Sequence, residues 1–194
     1  MKKTFVQIGS NDGKTYDSFY SEWYPEKENW LGLFVEPEPG AFKKLIEAFA
    51  GIDGMQFENS AICNERGIRK FYVCSRDTNN YDKFSVLSSF DKNHIIKHKI
   101  DEKFIHEIET SCITFNDLIQ KYEIGHIDYL IIDTEGCDLL ILESIDFNKI
   151  LPQKIKYEHK HLSIKDKKRA IELLSLKYSL IEYTKENATF ILDQ

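Results

Sequence analysis

Residues Ile127–Ile132 read IDYLII, a run that is apolar at nearly every position. A strand sends successive side chains to opposite faces, so such a run is apolar on both. Only a sheet covered on each side accommodates it, which points to a mostly parallel sheet with IDYLII at its centre. The run stops at Asp133-Thr134-Glu135-Gly136, and Leu139–Ile145 continues as a helix. Strand, turn and helix in that order form the unit of a doubly wound α/β fold.

The rest of the chain repeats the pattern. Thr4–Ile8 is a short apolar strand ending in Gly9-Ser10-Asn11-Asp12-Gly13. Tyr16, Phe19, Tyr20 and Trp23 follow at helical spacing, and Pro25 is expected to close that helix. Trp30–Glu36 is the second strand, and Phe42, Leu45, Ile46 and Phe49 mark the second helix, with Gly51 where a C′ glycine belongs. Met55–Cys63 and Gly67–Cys74 read as extended runs joined in a hairpin by residues 64–67. Between Ser75 and Thr110 the pattern weakens, and this segment is expected to be a lid or substrate-facing excursion within one domain spanning 1–194. Thr114–Tyr122 is a helix, Ile155–His159 a strand and Ile164–Leu176 a charged amphipathic helix. Four residues separate the final strands, Tyr178–Tyr183 and Ala188–Leu192. A parallel crossover needs a dozen residues or more, so these two must be antiparallel.

A net charge of −6 argues against a nucleic-acid partner. The Lys-rich pieces Lys154–Lys160 and Lys165–Arg169 read as solvated faces. No stretch approaches the length of a membrane span, and Thr4–Ile8 is too short for a signal-peptide core. Four scattered cysteines without a C-x-x-C pair suit reduced thiols, so a cytoplasmic location is expected.

Four places carry chemistry. The Gly9–Gly13 turn lets backbone approach a ligand and offers N–H groups to a carboxylate, although G-x-x-x-G also serves as a plain strand–helix turn. Glu36 closes the second strand, where a carboxylate can accept both hydroxyls of a ribose or can simply be a surface acid. Asp133, Glu135 and Asp138 could hold a divalent metal. The preferred reading assigns no metal: Asp133 binds ligand, Glu135 satisfies backbone donors and Asp138 is a solvated first-turn acid. His159 and His161 end the fifth strand, and His159 is the candidate general base, with a structural role as the alternative. His94 and His98 stand four residues apart with no third ligand evident, and read as exposed.

These residues sit in FVQIGSNDG (Phe5–Gly13), GLFVEPEPGAFKKL (Gly32–Leu45), NSAIC (Asn59–Cys63) and ITFNDLIQKYEIGHIDYLIIDTEGCDLLILESI (Ile113–Ile145). The last block resembles the FkbM family of S-adenosylmethionine (SAM)-dependent methyltransferases nearly end to end. The resemblance implies a class I methyltransferase fold, Rossmann-like and ending in an antiparallel hairpin, which nicotinamide-binding Rossmann domains lack. It implies SAM as cofactor and methyl transfer to a hydroxyl of a sugar, glycan or secondary metabolite. Gly9, Asn11, Gly13 and Asp133 would hold the methionine end and Glu36 the ribose. Asn59, Ser60 and Ala61 would lie by the adenine. Two positions depart from the family pattern. Gln7 replaces the usual acid of the first motif while remaining able to hydrogen-bond, and Ile131 replaces a lysine. Asp133 and His159 are the expected catalytic pair. The rival readings are a methyltransferase-like binding module without catalysis and, against the glycine spacing, a nicotinamide oxidoreductase.

Overall fold

The computed structural model describes residues 2–15, 17–74 and 84–193. Among the described residues, ten strands form two sheets. The larger contains β1 (Lys3–Ile8), β2 (Trp30–Val35), β3 (Met55–Glu58), β7 (Tyr129–Ile132), β8 (Lys154–Glu158), β9 (Tyr178–Tyr183) and β10 (Asn187–Leu192), in the order β3-β2-β1-β7-β8-β10-β9. All its neighbours run parallel except β10, which is antiparallel to both β8 and β9. The doubly wound sheet with a closing hairpin is therefore present.

Alternation along the strands explains why both faces are covered. On one face Val6, Ile8, Leu33, Val35, Leu130 and Ile132 pack with residues of α4 (Phe115–Lys121), α5 (Asp138–Ser144) and α6 (Ile164–Leu174). On the other, Phe5, Phe34, Tyr129 and Ile131 meet Phe19, Trp23 of α1 (Tyr20–Trp23), and Leu45 and Phe49 of α2 (Pro39–Phe49). Phe5 alone makes edge or tilted ring contacts with Phe19, Trp23, Trp30 and Phe34 at centroid distances of 5.1–5.8 Å. Every residue of β7 is buried, as its two-sided apolarity requires.

Helix starts are written locally. Glu38 caps α2 by accepting from the Gly40 and Ala41 amides, with Pro39 as first helical residue. Thr114 and Asp117 form a reciprocal capping box on α4. The first helix is shorter than its spacing suggests: α1 is one turn and ends just before Pro25, where the chain continues as a 3₁₀ segment over Tyr24–Asn29. The left-handed glycine after α2 is Gly54, at φ +89°, not Gly51.

The expected hairpin over 55–74 is replaced by a different pairing. β3 ends at Glu58 and joins the large sheet, whereas β4 (Ala61–Ile62) and β5 (Gly67–Cys74) flank β6 (Ile105–Ile113) in a second sheet. β6 is parallel to β4 and antiparallel to β5, with Cys112 opposite both Ala61 and Gly67. The excursion over 75–110 therefore ends in a regular strand. Between the sheets' partners lie a 3₁₀ turn at Ser85–Leu87, α3 (Lys92–Lys97) and a 3₁₀ turn at Glu102–Phe104. Residues 75–83 of that excursion lie outside the described residues.

Candidate active site

The strand order turns at β1, which has β2 on one side and β7 on the other, with Ile8 opposite both Val35 and Ile132. Ligands of open α/β sheets bind beyond the carboxyl ends of the strands at such a point. A cavity of about 520 Å³ opens there, a size suited to a small-molecule ligand.

Its floor is the turn after β1. Gly9 and Ser10 both donate to the Val35 carbonyl, at 2.9 and 3.1 Å, and Ser10 Oγ donates to the Gln7 carbonyl at 2.9 Å. Gly9 has φ +79°, and a Cβ there would lie 1.7 Å from the Asp133 carbonyl oxygen, so only glycine fits. Gly13 is constrained for another reason: a Cβ would strike Phe49 and Leu45 at 2.5 and 2.8 Å. It does not line the cavity, so its expected ligand contact is replaced by packing against α2.

Glu36 lines the cavity just past β2. Its two oxygens accept from the Asn11 and Glu38 amides at 2.7 Å each, and each keeps a free lone-pair direction. Burial raises its pKa to about 7, against the pull of those two backbone donors. Ser60 and Ala61 also line the cavity, with Ser60 Oγ buried and unpartnered. Asn59 does not. Its amide donates to the Glu36 carbonyl at 2.7 Å and holds the strand end in place.

Both departures from the family pattern have a neighbour with the missing charge. Gln7 lines the cavity and donates through Nε2 to Asp17 Oδ2 at 3.0 Å, and Asp17 lines it as well. Burial raises the Asp17 pKa. Ile131 stands opposite Lys156 in the β7–β8 register, and Lys156 lines the same cavity. Asp17 lies in a loop with no apolar period, and Lys156 in a run that reads as a solvated face, so neither stands out in the sequence.

Asp133, at the carboxyl end of β7, faces the cavity. Although open to that space, its carboxyl is surrounded closely enough that desolvation, with the Glu135 charge adding to it, raises its pKa to about 7. Asp138 is fully buried and not solvated: it accepts from Thr134 Oγ1 at 3.1 Å and from the Gly136 and Glu158 amides at 3.3 Å. It ties the turn after β7 to the end of β8. Among the described residues no backbone N–H donates to the Glu135 carboxylate. Its Oε2 lies 2.9 Å from His94 Nε2 and 3.1 Å from His161 Nε2. His94 is buried, in contrast to the exposed position expected for it, while His98 lines the cavity.

His159 is not in the cavity. It is buried, stacked on Tyr183 at 4.3 Å between ring centroids, with Nε2 3.2 Å from the Thr184 carbonyl. The side chains alternate along this segment, so Glu158 and Lys160 turn into the cavity while His159 turns under the closing hairpin. His161 lines the cavity, and burial lowers its pKa. Burial, with the Asp133 charge adding to it, raises the Glu158 pKa to about 9.

A family model for the FkbM methyltransferase domain matches residues 7–188. The chain belongs to the FkbM methyltransferase family. No curated protein is a significant sequence match to it. Among solved structures, the FkbM methyltransferase of Methylobacillus flagellatus KT aligns with TM-score 0.57 at 10% identity, covering 98% of this chain. This chain spans 43% of that protein's length. An rRNA methylase of Streptococcus thermophilus aligns with TM-score 0.50 at 9% identity, over 100% of this chain and 88% of its own. The fibrillarin pre-rRNA processing protein of Methanococcus jannaschii aligns with TM-score 0.50 at 10% identity, over 98% of this chain and 66% of its own. At these identities the structural likeness establishes the class I methyltransferase fold. Among the described residues no helix is long and apolar enough to cross a membrane.

Proposed function

We propose that this FkbM family member binds SAM in the cavity at the β1–β7 switch point and methylates a hydroxyl of a sugar, glycan or secondary metabolite. The observation that carries the reading is spatial compensation: the acid absent at Gln7 stands at Asp17, hydrogen-bonded to it, and the cation absent at Ile131 stands at Lys156. The donor set fits the cofactor. Gln7 Oε1, Asn11 Nδ2 and Ser60 Oγ are buried, unpartnered and on the cavity wall, an acceptor and two polar groups awaiting a ligand. When bound, SAM supplies a methyl group on a sulfonium that leaves readily.

The residues then divide by position. Glu36, with a free lone-pair direction on each oxygen, accepts from the ribose hydroxyls. Ser60 and Ala61 border the adenine, and Gly9, Asn11 and Asp17 hold the methionine end. Asp133 faces the acceptor side, where it orients the hydroxyl and takes its proton. That role passes from His159, which the closing hairpin shields. Holding the hydroxyl in line with the donor supplies most of the acceleration such a reaction needs.

Asp17→Asn tests the reading directly. It keeps the hydrogen-bonding shape but removes the charge opposite the ligand's ammonium, and should weaken SAM binding about tenfold in calorimetry. Unchanged affinity would remove Asp17 from the methionine subsite.

A further inference from the structure

We propose that His94, Glu135 and His161, with Glu158 beside them, form a site for one divalent transition-metal ion on the wall of the SAM cavity. The three side chains come from separate elements: His94 from α3, Glu135 from the turn after β7, and His161 from the turn after β8. Their ligand atoms all lie within 4.8 Å of one another, and a second set, Asp133, Glu135 and Glu158, converges on the same Glu135. His161 Nε2 is 3.8 Å from Glu158 Oε2.

The two short contacts lie at a distance that serves either a hydrogen bond or two ligands of one ion, and the orphaned atoms decide between them. Metal–nitrogen and metal–oxygen bonds of about 2.1 Å, at tetrahedral or octahedral angles, put neighbouring donor atoms about 3.0–3.4 Å apart. The two histidine–Glu135 separations, 2.9 and 3.1 Å, match that spacing. At the same time His94 Nε2, Glu135 Oε2 and Glu158 Oε2 are buried without a hydrogen-bond partner, because the groups approach closely but are not aligned as donor and acceptor. Four inward-facing side chains with three orphaned polar atoms are costly to leave as they stand. His94 and Glu158 are each more than nine-tenths buried, at 8% and 7% exposure.

Ligand chemistry selects the ion. Two imidazoles with one or two carboxylates favour zinc, iron, cobalt or manganese over magnesium or calcium, which prefer all-oxygen sets. Glu135, His161 and Glu158 also line the cavity that Asp133 faces, so an ion here has an open side toward the acceptor hydroxyl. This placement rests on the methyl-transfer reading. The ion site itself does not, because none of the four residues is among those assigned to SAM.

The test is cobalt(II) chloride titrated into chelator-stripped protein, followed by visible absorption and by calorimetry. One cobalt ion should bind per chain with ligand-field bands, zinc chloride should displace it, and millimolar magnesium should not. His94→Ala/His161→Ala should lose the bands and weaken binding at least a hundredfold, and Glu135→Gln at least tenfold. If the double variant does not melt cooperatively, His161→Gln, which keeps size and polarity, takes its place with an expected tenfold loss. Absence of saturable cobalt binding by the parent protein, or equal binding by the folded variants, overturns the site. SAM is titrated separately into the metal-free protein: if SAM binds there but cobalt does not bind in its own titration, the metal site alone is defeated, and if cobalt binds but SAM does not, the methyltransferase reading alone is defeated.

Discussion

Glu36 holds two turns of the backbone and, in the proposed function, also receives the ribose. It closes the turn after β1 by accepting from the Asn11 amide and starts the approach to α2 by accepting from Glu38. Its pKa is raised from 4.5 to about 7 because burial outweighs these bonds. The folded protein therefore holds a proton that the unfolded chain releases above about pH 4.5, and this group's contribution to stability falls as pH rises from about 4.5 to 7. If ribose hydroxyls donate to the carboxylate as proposed, SAM affinity should move the other way, rising as pH increases toward 7 and levelling above it. Calorimetry from pH 5.5 to 8.5 checks this, and Glu36→Gln should flatten the profile and weaken binding at least tenfold. A parent profile flat across neutrality would remove Glu36 from the ribose subsite. Gly9 makes a sharper demand. Gly9→Ala should cost about 2–4 kcal/mol of stability, because its Cβ meets the Asp133 carbonyl and its φ is positive. Urea unfolding measures it, and a loss below about 0.5 kcal/mol would mean that the turn can move aside.

At the scale of elements, a cap tests how helix α4 is held. Thr114→Ala breaks the capping box and should cost about 1 kcal/mol in the same unfolding measurement, without touching the cavity. An unchanged midpoint would show that tertiary packing of Phe115 and Leu118 alone fixes the helix start. The elements readable from sequence were those whose signal is local. The apolar run of β7, the Gly9–Gly13 turn, the α2 face and the short loop before β10 each declare themselves within a dozen residues. The small sheet was not readable, because β6 separates β4 from β5 in space while following both in sequence. Ala61 and Gly67 look like the two arms of a hairpin until Cys112, far along the chain, takes the place between them. The same limit governs the site. Gly9, Glu36 and Asp133 could be placed because each ends a strand, a position sequence reveals. His94 meets Glu135 and His161 only through folding, and the turn of His159 under the closing hairpin depends on which residue of β8 is its last.

Across the whole molecule the decisive property is the charge of the cavity. Asp17, Glu36, Asp133, Glu135, Glu158 and Glu186 line it, against Lys156 and Lys160, and Lys160 is paired with Glu186 at 2.8 Å. Burial and crowding hold protons on Glu36, Asp133 and Glu158, and a ligand with a net positive charge, as SAM has through its sulfonium and ammonium, would release them and pair with the acids. The lining disfavours a dinucleotide, whose pyrophosphate would find neither the G-x-G-x-x-G turn nor an excess of cations. The measurement that tests the account most directly is calorimetric titration of the protein with SAM and, separately, with NAD. One equivalent of SAM should bind per chain, its demethylated product should compete for the same site, and NAD should give no saturable heat. Binding of NAD without SAM, or of neither, would contradict the account.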